Sequence, residues 1–251
     1  ERATLFRQSD VPEVTELAWI LSTVTGKGLL DRATSYKDKV AKGITPSVGL
    51  FTYPMLMAAD ILVYRADLVP VGKDQTQHVE MTQDIATHFN TAYGREVLRR
   101  PEPKLNDAPI VPGLDGAKMS KSYGNTIDLF DEPAAAKKRI MSIKTDSTPV
   151  EAPKDPDACN VFAIYRHVAT PEEAAAMAAR YRAGGMGYGE AKKALAEAFE
   201  RLVAPAREKR RELASHPERV EAVWREGGRR ARAVAAEVMR EVRDACGIAT
   251  G

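Results

Sequence analysis

Gly113-Leu114-Asp115-Gly116-Ala117-Lys118-Met119-Ser120-Lys121-Ser122-Tyr123-Gly124-Asn125 sets two lysines around a Met-Ser pair, with glycines on both sides. Gly113 and Gly116 open positive φ to the backbone, so the chain can turn tightly and come close to a ligand. Gly124-Asn125 reads as a second flexible joint. Two ammonium groups on long stems, with the hydroxyls of Ser120 and Ser122 beside them, suit a polyphosphate whose charge moves during a reaction. Spacing alone leaves a second reading open, a solvated basic loop.

Upstream, Thr52-Tyr53-Pro54-Met55-Leu56-Met57-Ala58-Ala59-Asp60-Ile61-Leu62-Val63-Tyr64 is apolar nearly all round. That predicts a buried helix with Pro54 in its first turn. Asp60 interrupts it, and a buried carboxylate needs a partner or it neutralises. It either makes an internal contact or faces a pocket and accepts a hydrogen bond from a ligand. Asp67–Gly72 predicts a buried strand ending in glycine. Lys73-Asp74-Gln75-Thr76-Gln77-His78-Val79-Glu80 then opens a helix to about Asn90, with Val79, Ala86 and Phe89 inward. Gly72–Gln75 therefore lies between a strand C-terminus and a helix N-terminus, where open α/β sheets bind ligands and free amides suit an anion or a ribose edge.

The flanking segments read more simply. Thr4–Arg7 suggests a short strand. Asp10 suits an N-cap, followed by Pro12 in the first turn of a helix to about Thr25, with Val14, Leu17, Ala18, Leu21 and Val24 as its apolar stripe and Gly26 and Gly28 closing it. Residues 29–47, with Lys37, Lys39 and Lys42, read as a solvated surface segment. Residues 94–112 read as a proline-rich loop, and Ile127–Phe130 as a short extended piece. From Asp131 helical patterns dominate: Asp131 as a cap with Ile140, Met141 and Ile143 inward, Thr170-Pro171-Glu172-Glu173 as a capping box ending at Gly184-Gly185, and Leu195, Phe199, Leu202 and Val203 on one face up to Pro205. Ser215-His216-Pro217-Glu218 is a further capping box, leading into a long helix with Val220, Val223, Trp224, Val234, Val238 and Val242. Gly184–Gly189 reads as a helix–helix connection, since no strand precedes it.

Composition narrows the class. The chain has 251 residues, 44% hydrophobic and 29% charged, which suits one large domain or two modest ones in a soluble protein. A net charge of +2 demands no nucleic-acid partner, so any RNA contact must come from local patches. Cys159 and Cys246 lack Cys-x-x-Cys spacing, which argues against a disulfide framework or zinc and fits a reducing, cytoplasmic setting. The apolar region Leu50–Val71 is broken by Pro54, Asp60, Arg65, Asp67 and Pro70 and predicts no membrane span. The alternating charges of residues 207–244 read as a solvated face with i,i+4 pairs, compatible with RNA backbone contact but not requiring it.

Lys118-Met119-Ser120-Lys121-Ser122 is identical to the signature loop of class I aminoacyl-tRNA synthetases. With Thr52-Tyr53-Pro54-x-Leu56-Met57-Ala58-Ala59-Asp60-Ile61-Leu62, Pro70-Val71-Gly72-x-Asp74-Gln75-x-Gln77-His78 and Phe6-Arg7-Gln8-Ser9-Asp10-Val11-Pro12, the chain resembles a bacterial-type tryptophanyl-tRNA synthetase. The resemblance implies an α/β fold: a Rossmann-like parallel-sheet catalytic domain over residues 1–130, N-terminally incomplete, then an all-helical domain over 131–251 that meets tRNA. It implies a tryptophan pocket in which Asp60 accepts the indole N–H, Met57, Val69 and Val71 pack the ring, and Tyr53 and Gln75 hold the amino group. Gly72 and Asp74 would meet the ATP ribose with Lys73 beside them, and Ile110 the adenine. Lys118, Lys121 and Lys39 would meet the phosphates, with Met119, Ser120 and Ser122 completing the loop. ATP with Mg²⁺, L-tryptophan and tRNA(Trp) are the implied cofactor and partners, the assembly a homodimer in the cytoplasm, with no role for membrane or DNA.

One departure stands out. The family's His-x-Gly-His-like motif, expected on the first strand–helix turn, is not in this sequence and belongs upstream of Glu1. A chain that truly begins at Glu1 is expected to activate its amino acid poorly. Three other readings stay open on the residues: a tyrosyl-tRNA synthetase, an inactive paralogue that binds tryptophan or tRNA, and a helical RNA-binding module that would explain only the C-terminal half.

Overall fold

The computed structural model describes residues 3–33, 36, 41, 43, 45–105 and 111–248, with the Ser122 side chain omitted. The chain divides into two compact units, one of residues 1–107 with 218–251 and one of residues 108–217.

The first unit opens not with a strand but with an irregular stretch through Arg7 and a 3₁₀ turn, Gln8–Asp10. Asp10 does not cap the next helix; it accepts from Arg7 Nε at 3.1 Å, and α1 (Glu13–Val24) starts after Pro12. Val14, Leu17 and Leu21 of α1 are buried as its periodicity predicts. Gly26 begins a further short helix, α2 (Lys27–Asp31), rather than only closing α1. α3 (Val48–Leu62) starts four residues earlier than predicted because the Ser47 hydroxyl caps it, accepting from Leu50 N–H at 3.0 Å. Pro54 therefore sits inside the helix, where its fixed φ fits but one backbone hydrogen bond is lost.

β1 (Leu68–Val71) is followed by a 3₁₀ turn, Lys73–Gln75, and by α4 (Thr76–Tyr93). β2 (Glu102–Leu105) lies in the stretch predicted to be a loop and pairs parallel with β1, Val69 opposite Pro103 and Val71 opposite Leu105. Parallel pairing requires a crossover, and α4 supplies it, so the unit contains a β–α–β arrangement. β1 is not buried as predicted: Leu68 is 57% exposed, and Val69 and Val71 are half-buried on the strand's other face.

α9 (Pro217–Ala245) completes this core from Glu218 on. Its inward face keeps only part of the predicted valine row, Val238 and Val242. Val223 and Val234 are exposed, while Gly227, Gly228, Ala231, Ala235, Val238, Met239 and Val242 are buried. The small residues serve close approach: a Cβ on Gly227 would run into the Leu5 carbonyl oxygen, and one on Gly228 would lie 2.9 Å from Asp10 Cβ. Thr4–Arg7 thus finds its place against a helix, not in a sheet.

The second unit is helical beyond its loop: α5 (Pro133–Met141), α6 (Asn160–Tyr165), α7 (Pro171–Ala183) and α8 (Tyr188–Ala214). Glu132, not Asp131, precedes α5; Ile140 and Ile143 are buried but Met141 is exposed. Ile127–Phe130 is not extended but turns, with Asp128 Oδ1 accepting from Phe130 N–H at 2.8 Å. The Thr170–Glu173 capping box is present in both halves, at 3.2 and 2.9 Å. α8 runs through Pro205 instead of stopping there. Glu200 and Arg207, on either side of the proline, pair across the weakened turn, Arg207 Nη1 donating to both Glu200 carboxylate oxygens at 2.7 and 2.9 Å. Leu202 points outward, 55% exposed, whereas Leu195, Phe199 and Val203 are buried.

Candidate active site

In the first unit, Tyr53, Met57 and Asp60 are spaced i, i+4, i+7 on α3 and so share a helix face. All three are half-buried, unlike Met55, Ala58, Ala59 and Leu62, which point into the core. This resolves how an almost wholly apolar helix carries an acid: Asp60 lies at the edge of the core. Its Oδ2 accepts from Gln8 Nε2 at 2.6 Å. Partial burial pushes the Asp60 carboxyl above its ordinary value, and the Gln8 hydrogen bond opposes that rise. Tyr53 extends to α4, where its hydroxyl lies 2.7 Å from His78 Nε2.

In the turn after β1, Gly72 has ordinary extended backbone, φ −73° and ψ 162°. A Cβ there would lie 2.7 Å from Asp74 Oδ1, so a larger residue would turn that exposed carboxylate aside. Asp74 Oδ2 also accepts from Gln75 Nε2 at 3.0 Å, so the carboxylate is folded over the turn. Gly72, Lys73 and Asp74 are exposed, and Gln75, Val69 and Val71 half-buried. The structure brings Tyr53, Met57 and Asp60 onto one helix face, Val69 and Val71 onto one strand face, and Gly72–Gln75 into one turn.

In the second unit the lysine loop is held by Asn125. This residue is no flexible joint: it is 4% exposed. Its Oδ1 accepts from Ser120 N–H at 2.8 Å, and its Nδ2 donates to Asp115 Oδ1 at 2.8 Å and to the Lys118 carbonyl at 3.2 Å. Its backbone carbonyl takes the Leu114 N–H at 2.9 Å. Gly113 leaves room for it, because a Cβ there would lie 2.9 Å from Asn125 Cβ and closer still to the amide. Positive φ is used at Gly116 (88°) and Gly124 (66°). Asp115 also accepts from Ala117 N–H at 3.1 Å; the Asn125 hydrogen bond, with smaller help from that amide, holds its carboxyl below the ordinary value.

Pro112 and Lys118 form an antiparallel bridge, and Met119 N–H donates to the Val111 carbonyl at 3.0 Å. The Met119 side chain packs on the helical core. Lys118 and Lys121 stay exposed, and among the described residues neither pairs with a carboxylate. The loop is thus pinned by its backbone and its apolar residue, while both ammonium groups are left for solvent or a ligand. Lys39, Ile110 and the Ser122 side chain lie outside the described residues.

The model of the class I tRNA synthetases (W and Y) matches residues 1–204. The chain belongs to that family. This synthetase is 52% identical over 247 residues to the tryptophan–tRNA ligase of Rhodopirellula baltica, covering 98% of the chain and 77% of the relative. It is 49% identical to that of Fusobacterium nucleatum, covering 98% and 76%. Its structure matches the crystal structure of tryptophanyl-tRNA synthetase from Campylobacter jejuni complexed with ADP and tryptophan with a TM-score of 0.89 at 48% identity, covering 96% of this chain and 76% of that one. The class I synthetase fold expected from the sequence is therefore present.

Two residues that contact the candidate site have no signal of that role in the sequence. Nothing in the sequence around Gln8 links it to Asp60 across 52 positions. Asn125 carries only the signal of a turn, since Gly-Asn pairs mark turns and a buried asparagine can organise one just as well. A cavity of about 890 Å³ in the first unit contains none of the expected site residues; the pairs Arg65–Glu241 and Arg99–Asp67 line it, together with Arg95.

Proposed function

We propose that this synthetase activates L-tryptophan with ATP to tryptophanyl-adenylate and pyrophosphate, then transfers tryptophan to tRNA(Trp). Its identity to tryptophan–tRNA ligases along nearly the whole chain carries this reading. The α3 face supports it, because an apolar slot with one acceptor binds a large amphipathic ring and orients it.

In this reading the Asp60 carboxylate accepts the indole N–H, Met57, Val69 and Val71 pack the ring, and Tyr53 and Gln75 hold the amino group. Gly72, Lys73 and Asp74 take the ribose, Ile110 the adenine, and Met119, Ser120 and Ser122 shape the lysine loop. A tryptophan carboxylate oxygen attacks the α-phosphorus, the bond to the bridging oxygen of the β-phosphate breaks, and that electron pair leaves with pyrophosphate. Lys118, Lys121 and Lys39 neutralise the charge moving onto the leaving group. A ribose hydroxyl at the tRNA 3′ end then attacks the adenylate carbonyl and AMP departs. No side chain has to act as nucleophile. Mg²⁺ enters as part of the substrate, bound to the ATP phosphates.

Residues 1–130 would supply the catalytic part and 131–251 the helical part that meets tRNA, in a cytoplasmic homodimer. Among the described residues no helix is long and apolar enough to cross a membrane. The test is ATP–pyrophosphate exchange driven by tryptophan or by tyrosine. Exchange with tryptophan and almost none with tyrosine is expected; faster exchange with tyrosine would overturn the assignment.

A further inference from the structure

Gln8 stands where it can control the acceptor that reads the indole. The 3₁₀ turn that presents it is fixed on both sides. The Arg7 carbonyl accepts from Asp10 N–H and the Gln8 carbonyl from Val11 N–H, each at 3.0 Å. Arg7 forms a two-pronged pair with Glu221 of α9 at 3.1 and 2.9 Å, and its guanidinium lies over the Trp224 ring, 5.2 Å from the centroid. So Gln8 sits on a bolted turn rather than a loose end. Its partner, Asp60, is equally constrained, one turn along α3 from Met57 and backed by core residues Ala59 and Leu62. A carboxylate only accepts, so the Gln8 amide must turn its NH₂ toward Asp60. Among the described residues Gln8 is the donor that reaches Asp60, and it takes Oδ2 only.

We propose that Gln8 is a positioning residue for tryptophan recognition: by donating to Asp60 Oδ2 it keeps the carboxylate ionised and oriented, leaving Oδ1 as the single acceptor for an indole N–H. This rests on the tryptophan reading of the site. A carboxylate free to rotate, or protonated, presents a weaker and less directed acceptor, and discrimination by one hydrogen bond depends on that acceptor being fixed. The charged and titratable neighbours fit the assignment. Tyr64, in the turn just past the end of α3, has its hydroxyl buried with no hydrogen bond among the described residues and its pKa pushed up to about 12, first by burial and then by Asp60 and Glu13. Glu13 of α1 is neutralised by Arg232 of α9 at 2.9 Å, and His78 of α4 is engaged with Tyr53. None of these donates to Asp60, so Gln8 is what opposes its protonation.

The experiment measures tryptophan binding by calorimetry from pH 4.5 to 8 for the whole chain and for Gln8→Leu and Gln8→Glu. The benzothiophene analogue of tryptophan, which has sulfur in place of N–H, is the control ligand. Gln8→Leu is expected to weaken tryptophan about tenfold at neutral pH, as loss of a hydrogen bond to a charged group does, with little change for the analogue. The pH at which tryptophan binding is half lost should move upward in Gln8→Leu. It should move further in the near-isosteric Gln8→Glu, which sets two carboxyls side by side. Equal weakening of both ligands, or an unmoved midpoint in both variants, would overturn the assignment of Gln8. Failure of the unsubstituted chain to prefer tryptophan over the analogue would overturn the reading of Asp60 as well.

Discussion

Asn125 occupies the space that a side chain on Gly113 would require. The two residues lie twelve positions apart, and the amide of one fits into the missing Cβ of the other. From that seat Asn125 ties Asp115, Lys118 and Ser120 into one frame. Asn125→Ala removes three side-chain hydrogen bonds from a buried site and should cost about 2–4 kcal/mol of stability. ATP–pyrophosphate exchange should fall by about tenfold or more where the protein remains folded, because a displaced loop misplaces its lysines. Thermal melts and exchange kinetics on the same samples check this. Normal exchange in a folded Asn125→Ala protein would show that the frame does not matter to catalysis.

The lysines themselves should behave differently. Lys118→Ala and Lys121→Ala remove exposed side chains with no carboxylate partner among the described residues, so melting temperature should be nearly unchanged. Each should lower kcat for exchange by about 100-fold or more while leaving the tryptophan dissociation constant within roughly twofold, since the charge they stabilise develops during the reaction. Stopped-flow single turnovers separate the two quantities.

With Asp60 as the proposed indole acceptor, binding should depend on pH with a definite sign. Its carboxyl is held above the ordinary value by partial burial, so it protonates sooner than a solvent-exposed aspartate as pH falls. Tryptophan affinity should therefore decline on acidification from a pH above 3.8, before ordinary aspartates titrate. Asp60→Asn should abolish that dependence and weaken binding about tenfold at neutral pH.

Glu16 and Arg243 link α1 to α9, with Arg243 Nε 2.7 Å from Glu16 Oε1 and a second, shorter prong beside it. The arginine hydrogen bond holds the Glu16 carboxyl below its ordinary value. A depressed carboxyl adds stability above its unfolded pKa, here 4.5, and that stability is lost as pH falls through the folded value. The pair is partly exposed, so Glu16→Gln should cost only about 0.5–1 kcal/mol at neutral pH. The difference between the two proteins should shrink in acid; an equal gap at every pH would rule out the charge as its cause.

Gly227→Ala tests the contact with the first segment. In an exposed helix interior this change adds about 1 kcal/mol of helix propensity. Here the new Cβ would meet the Leu5 carbonyl, and backbone cannot swing aside like the end of a side chain. A net loss of about 2 kcal/mol or more is expected, measured by denaturant unfolding. A gain would mean that Leu5 does not rest on this helix.

What the sequence disclosed depended on how far each signal reached. The Thr170–Glu173 box and the inward set Val14, Leu17 and Leu21 are properties of a few adjacent residues, and they stand as read. The pattern of Thr52–Tyr64 is apolar nearly all round and does not pick out the shared face of Tyr53, Met57 and Asp60; only the family resemblance groups those residues. β2 was not: Glu102-Pro103-Lys104-Leu105 has no strand pattern of its own and becomes a strand by pairing with β1. Pro205 looked like a helix end because its cost is local, while the Glu200–Arg207 bridge that offsets it spans two turns. Of the valines of α9, Val238 and Val242 lie on the buried face, but its first half is marked by glycine and alanine, since Gly227 there meets backbone. Asp60 was readable as an anomaly, yet its partner Gln8 could be found only in three dimensions.

The glycine seat on α9 also bears on the order in which the chain can fold. On the ribosome the segment around Leu5 is made before the helix that receives it, which follows more than two hundred residues later. At about 5–20 residues per second that is an interval of roughly ten to forty seconds. The second unit, residues 108–217, is contiguous and lies entirely within that interval. It can reach its own packed state while the first unit still lacks its closing helix. Until then the opening segment and the core it covers are held incomplete, so premature termination before α9 should leave a folded second unit joined to an unfinished first one, a form for chaperones or proteases to claim.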